Sequence, residues 1–153
     1  MTVRELQTSN VKTVSPDTDL AVVAKLMWEG DCGAVPVVTD DRKVIGMITD
    51  RDICIASATR SKPPAEIRAS EVISANGVHA VKPDDDVRIA LRAMRKHRVR
   101  RLPVVDREQR LTGIVSINDL AINASTSLPD SVPAQEFLET FQAICAHEKH
   151  AVA

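Results

Sequence analysis

Apolar positions recur along the chain with two different periods, and the two alternate. Between Asp19 and Glu29, the residues Leu20, Val23, Ala24, Met27 and Trp28 follow the three-and-four spacing of a helix with one apolar face. Ala34 to Thr39 and Val44 to Ile48 are apolar runs of strand length, separated by the polar turn Asp40-Asp41-Arg42-Lys43. The second run passes directly into Thr49-Asp50-Arg51-Asp52 and then Ile53-Cys54-Ile55-Ala56, as a buried strand leading straight into a helix would. That helix is expected to end near Ala58. Ahead of these, Val3 to Gln7 predicts a helical turn, Asn10 to Val14 a strand, and Ser15 to Thr18 a capping turn. Gly30 falls where a left-handed helix cap is wanted, and Pro36 points to a strand edge or start.

The same succession returns at an offset of 67, Gly46 to Gly113, without a gap. Pro16 maps to Pro83, Asp19 to Asp86, Met27 to Met94, Pro36-Val37-Val38 to Pro103-Val104-Val105, and Thr49 and Asp52 to Ser116 and Asp119. The chain is an internal duplication. Its second copy predicts a turn at Ala69 to Ser74, a strand at Gly77 to Val81 and a capped entry at Pro83 to Asp86. A helix at Val87 to His97 follows, with Val87, Ala90, Leu91 and Met94 inward, then strands at Leu102 to Val105 and Leu111 to Ser116. A last helix runs from Ile117 to Ser125. The expected domains are a first repeat at 1–60, a linker at 61–68, a second repeat at 69–125 and a tail helix within 126–153. In the tail, Phe137, Leu138, Phe141, Ile144 and Cys145 form one apolar stripe on a helix at 135–148. A lone helix of that length is marginal in water, so it is expected to dock on its own module or on a partner.

Composition narrows the function. Of 153 residues, 44% are hydrophobic but only 2% aromatic, which argues against a base-stacking surface. The net charge of −1 provides no global field for nucleic acid or membrane. No apolar run approaches a membrane span, and the first residues lack an apolar signal core, so a cytoplasmic protein is expected. Three cysteines, Cys32, Cys54 and Cys145, form no CxxC pair and are read as buried or unreactive thiols. The one basic cluster, Arg88, Arg92, Arg95, Lys96, Arg98, Arg100 and Arg101, is read as a solvated helix face near a helix C-terminus. Nucleic-acid binding through it is the weakest alternative. His147 and His150 lie apart from other ligands, and His79 reads as a strand residue, so no metal site is expected. No nucleophile–base pair occurs, and no catalytic residue or catalytic cofactor is proposed.

A β-α-β-β-α repeat closing with Gly-x-x-Thr/Ser-x-x-Asp after a Pro-Val-Val strand resembles the CBS domain. Two in tandem resemble a Bateman module, similar to small stand-alone bacterial two-CBS proteins of the hypoxic-response type. The resemblance covers about residues 3–124. It implies an α/β (α+β) fold of two tandem CBS repeats related by pseudo-twofold symmetry, with the C-terminal helix added. It also implies a non-enzymatic homodimer whose clefts bind AMP, ADP, ATP, S-adenosylmethionine or NAD. Carried over by motif position, Asp52 and Asp119 would accept from ribose hydroxyls, and Thr49 and Ser116 would meet phosphate. Thr13, Val14, Ser15, Ala34, Val35 and Pro36, with Ala80, Val81, Lys82, Arg101, Leu102 and Pro103, would offer backbone and apolar contacts to adenine. Arg51 reads equally as a phosphate partner or as a solvated arginine; its counterpart is Asn118, so the two clefts are expected to be unequal unless Arg98, Arg100 or Arg101 restores the charge.

Each Thr/Ser-x-x-Asp is equally a helix capping box, a purely structural device. The alternative function is accordingly a structural or interaction protein with vestigial clefts, acting on an unidentified protein target through its tail helix.

Overall fold

The fold is that of a computed structural model in which residues 1–74, 77–125, 127 and 130–146 are described. It mixes helices with short strands, and two compact units divide it. One comprises the described residues of 10–78 and 105–111; the other comprises 1–9, 79–104 and the described residues from 112 onward.

In the first unit, helix α1 (Leu20–Glu29) begins at Asp19, whose carboxylate accepts from Ala21 N and Val22 N at 3.0 Å each. It buries Leu20, Val23 and Met27. The left-handed residue after it is Asp31 (φ 46°), not Gly30 (φ −94°). A Cβ on residue 30 would stand 3.0 Å from the Leu26 carbonyl, so space rather than conformation favours glycine there. Strand β1 (Ala34–Val38) pairs antiparallel with β2 (Val44–Thr49), Ala34 opposite Thr49 and Pro36 opposite Met47. Pro36 therefore sits mid-strand. Its carbonyl accepts from Val14 N at 3.1 Å, so its missing N–H lies on that sparsely bonded side.

The expected strand at 10–14 is a single parallel bridge from Val14 to Val37. Pro16 lacks the N–H that would carry the ladder on, and Pro83 does the same beyond the matching bridge from Val81 to Val104. Helix α2 (Asp50–Arg60) follows β2 without a loop and runs two residues past Ala58, to a left-handed Ser61 (φ 51°). The expected linker is part of this core: Ile67 is fully buried and its carbonyl accepts from Leu20 N at 2.9 Å.

The second unit repeats the plan. Helix α3 (Val87–His97) buries Val87, Ala90, Leu91 and Met94, as its spacing predicts. Arg98 (φ 52°) is its left-handed cap, one residue beyond His97. Strands β3 (Arg101–Val105) and β4 (Leu111–Ser116) form the hairpin. Helix α4 (Ile117–Ile122) is shorter than expected, because Ala124–Ser125 forms β5 and pairs parallel with β6 (Val132–Pro133).

The tail helix α5 (Ala134–Cys145) packs on α3. Arg88 Nε donates to Glu136 at 2.9 Å and Arg95 Nη1 to Glu139 at 2.7 Å. Thr140, almost fully buried, donates to the Glu136 carbonyl at 2.8 Å, and its hydroxyl lies 3.4 Å from the Leu91 carbonyl of α3. Two corrections follow. Arg88 and Arg95 hold the tail helix instead of forming a solvated face, and the apolar stripe is two stripes. Phe137 and Ile144 pack into the core with Thr140 between them, whereas Leu138, Phe141 and Cys145 face outward. Of the two readings of the thiols, buried or unreactive, burial does not hold for Cys54 and Cys145, which are exposed. Of the histidines, His147 and His150 lie outside the described residues.

The opening segment of each repeat packs on the other repeat. A Cβ on Gly46 would meet Ile73 Cγ2 at 2.3 Å, and one on Gly113 would meet the Thr8 carbonyl at 2.9 Å. Gly46→Ala and Gly113→Ala are each expected to destabilise by about 1–3 kcal/mol, the usual cost of overpacking. Chemical denaturation measures it, and unchanged midpoints would show that these segments yield freely.

Candidate functional site

Thr49 is both the last residue of β2 and the N-cap of α2. Its hydroxyl accepts from Asp52 N at 3.2 Å, while Asp52 Oδ2 accepts from Thr49 N at 2.8 Å and from Thr49 Oγ1 at 2.7 Å. Ser116 and Asp119 repeat this, with 3.3, 2.7 and 2.6 Å for the same three bonds. Only Oδ2 of each carboxylate is engaged. Oδ1 of Asp52 and Oδ1 of Asp119 have no hydrogen-bond partner among the described residues, and both side chains are half-buried.

Each junction is tied to the start of its partner strand. Asp50 N donates to the Gly33 carbonyl at 3.3 Å, and Ile117 N to the Arg100 carbonyl at 2.8 Å. In the first unit Thr49 and Asp52 therefore stand beside Ala34, with Val14 bonded to Pro36 on the far side of β1. In the second, Ser116 and Asp119 stand beside Arg100 and Arg101, with Val81 N bonded to the Pro103 carbonyl at 3.1 Å.

The residues expected to meet adenine divide by exposure. Val14, Ala34, Val35, Pro36, Val81, Leu102 and Pro103 are buried, so the groups they can present are backbone ones. Thr13 and Ala80 are half-buried; Ser15 and Lys82 are exposed. The Ser15 hydroxyl lies 3.1 Å from that of Thr18, closing a turn. Arg51 is exposed, and its guanidinium has no partner among the described residues. Arg101 is half-buried and likewise unpaired among them, and it follows Arg100, whose carbonyl holds the second junction.

One arrangement was not legible in the sequence. His79 and His97 stack with ring centroids 3.4 Å apart and planes 14° from parallel. Lost solvation around His97, then the charges of His79 and Lys96, hold its pKa below the usual histidine value. At the offset of 67 these positions are Lys12 and Gly30, so only the spatial closeness of the two segments could have signalled the pair. Among the described residues no group of three or more His, Cys, Asp or Glu is arranged to hold a metal ion, and no helix is long and apolar enough to cross a membrane.

The CBS domain pattern matches residues 3–59 and 69–125, both repeats. The chain belongs to the CBS domain family. Hypoxic response protein 1 of Mycobacterium tuberculosis is 32% identical over 145 residues, covering 95% of this chain and 94% of that protein. A crystal structure of Hypoxic Response Protein I with two coordinated zinc ions is similar at a TM-score of 0.74 and 34% identity, covering 82% of this chain and all of that one. The CBS domain pair of protein MJ0100, in complex with 5-methylthioadenosine and S-adenosyl-L-methionine, is similar at a TM-score of 0.72 and 25% identity, covering 80% and 94%. Each matched repeat includes one of the two strand–helix junctions, Thr49 to Asp52 and Ser116 to Asp119.

The stacked histidines give a pH prediction. His97 binds a proton more weakly in the folded chain than in the unfolded one, so its contribution is present above the ordinary pKa near 6.5 and is lost as pH falls below it. Melting temperature is expected to drop between pH 7.5 and 5.5, and to drop less in His97→Gln. Parallel profiles for the two proteins would remove the stack as the cause.

Proposed function

We propose that the chain is a non-enzymatic regulatory module that senses an adenosyl ligand, with AMP, ADP or ATP as the ligands of choice. The observation that carries this is the free oxygen on each capping carboxylate. Asp52 and Asp119 each cap a helix with Oδ2 and leave Oδ1 for another donor, in a half-buried position beside a strand start. Vicinal ribose hydroxyls are donors of the right kind, and MJ0100, which carries the same tandem domain, is complexed with two adenosyl compounds. Phosphate would meet the helix N-termini at Thr49 and Ser116, with Arg51 as a guanidinium partner at the first junction and Arg101 at the second. Backbone groups of 13–15, 34–36, 80–82 and 101–103 would face adenine. NAD and S-adenosylmethionine share the adenosyl portion and are the competing ligands.

We further propose a homodimer as the signalling form. Val22 on α1 and Ile55 on α2 are exposed, and so are Ile89 on α3 and Ile122 on α4 at the same positions of the second repeat. Apolar side chains left outward twice at matching places mark a face that another surface covers. Ligand binding would then act by favouring one arrangement of the two chains over another.

Calorimetric titration with AMP, ATP, NAD and S-adenosylmethionine tests the ligand. Asp52→Ala and Asp119→Ala should each weaken binding at least tenfold, a charged hydrogen bond being worth about 1.5–3 kcal/mol, while lowering stability by only about 1 kcal/mol for the lost cap. Early melting with normal binding would leave these carboxylates a structural role alone. For Arg51→Ala, AMP affinity should fall while adenosine affinity holds. An equal loss for both would rule out a phosphate role for Arg51.

A further inference from the structure

The flank of α3 that α5 covers has an open counterpart in the first repeat. There a groove of about 420 Å³ runs between the end of α1 and the start of α2, walled by Ala24, Met27, Trp28, Cys32, Asp50 and Ile53. Trp28 is 87% exposed, although it is the largest apolar side chain in the protein. At the offset of 67, Ala24 and Trp28 correspond to Leu91 and Arg95. Those are the positions that α5 covers in the second unit, with the Thr140 hydroxyl 3.4 Å from the Leu91 carbonyl and Glu139 accepting from Arg95. The duplicated scaffold thus presents the same helix flank twice. An amphipathic helix of this chain lies on one copy, and Trp28 stands uncovered on the other.

The helix itself has a second apolar stripe. With Phe137, Thr140 and Ile144 turned to the core, Leu138 and Phe141 remain 47% and 45% exposed, and Cys145 is exposed one turn further on. A helix apolar on both sides is one that is covered on both sides. Charge agrees with this pairing. The groove is bordered by Asp31 and Asp50, neither of them in an ion pair among the described residues. On α3, the helix that carries α5, Arg92 and Lys96 are exposed and unpaired among them.

We propose that in the dimer the outward stripe of α5 from one copy, Leu138 and Phe141, seats in the Trp28 groove of the other, with Arg92 and Lys96 of α3 facing Asp31 and Asp50. The proposal rests on the homodimer inferred above and adds a second contact beside the face of Val22, Ile55, Ile89 and Ile122. Burying an indole against Leu and Phe supplies the apolar centre of such a contact, and the charged pairs at its border select the first repeat of one chain for the second repeat of the other.

Trp28 is the protein's one tryptophan, so its emission reports this groove alone. The full chain should sediment as a dimer at tens of micromolar with blue-shifted emission, and dilution should convert it to a monomer with solvent-like emission. Leu138→Gln with Phe141→Gln, both at exposed positions, should raise the dissociation constant at least tenfold and shift the emission to the red at equal concentration. Leu138→Met with Phe141→Leu should retain both signals, which separates loss of contact from loss of fold. A dimer whose Trp28 emission stays solvent-like overturns this contact and leaves the dimer standing. Persistence of a shielded Trp28 in the glutamine variant overturns it as well. A wild-type monomer overturns the contact and the dimer together, while nucleotide titration still judges the adenosyl site independently.

Discussion

The passage from strand to helix at Thr49, and again at Ser116, is made without a connecting loop. A helix beginning there exposes N–H groups that have no carbonyl four residues back, and the strand residue before it must stay extended. The reciprocal pair of hydroxyl and carboxylate meets both demands, capping Asp52 N with Thr49 and Thr49 N with Asp52. The carboxylate also places negative charge at the positive end of the helix dipole. A second tie, from Asp50 N to Gly33 and from Ile117 N to Arg100, fixes the helix start against the neighbouring strand. Since the cap uses one oxygen of two, structural and ligand roles for Asp52 are not rivals. The bond that orients the carboxylate is what leaves its other oxygen free.

The duplication made most of this readable. Helical spacing gave the inward face of α3 residue by residue, because burial of Val87, Ala90, Leu91 and Met94 is decided within one helix. What failed depended on neighbours far along the chain. The strand expected at 10–14 shrinks to one bridge because Pro16 meets a partner strand some twenty residues away. The tail stripe divides because α3 covers only the side of the helix that carries Phe137, Thr140 and Ile144, and a buried threonine satisfied by the Glu136 carbonyl one turn back sits where the apolar pattern gives no sign of it. The capping role of both junction carboxylates was legible from their spacing, whereas a ligand role for them comes from the family resemblance; the stacked histidines were not legible, since each stands in an ordinary local context.

The two compact units do not follow the two repeats. Residues 69–74 and 77–78 group with the body of the first repeat and residues 1–9 with that of the second, so each repeat is closed by the opening segment of the other. The glycines at 46 and 113 follow from this, since Ile73 and the backbone at Thr8 occupy the space a side chain would need. Ile67 and Ala69 complete the core around Leu20 from outside the first repeat. A single repeat cut at its sequence boundaries would expose that core, which ties the stability of each half to the presence of the other.

Duplication began with two equal junctions, and the residues around them have since diverged in how a cation is held. Arg51 projects from the first turn of α2 into solvent, whereas its counterpart Asn118 has no charge. The second junction instead has Arg101, half-buried at the first residue of β3, next to the Arg100 carbonyl that anchors Ile117. Its own counterpart is Ala34, which is buried and uncharged. An exposed arginine must give up more side-chain freedom on meeting an anion than one already confined by its surroundings. For an anionic ligand, then, the two junctions differ less in charge than in preorganisation, with the guanidinium of β3 the more constrained of the two.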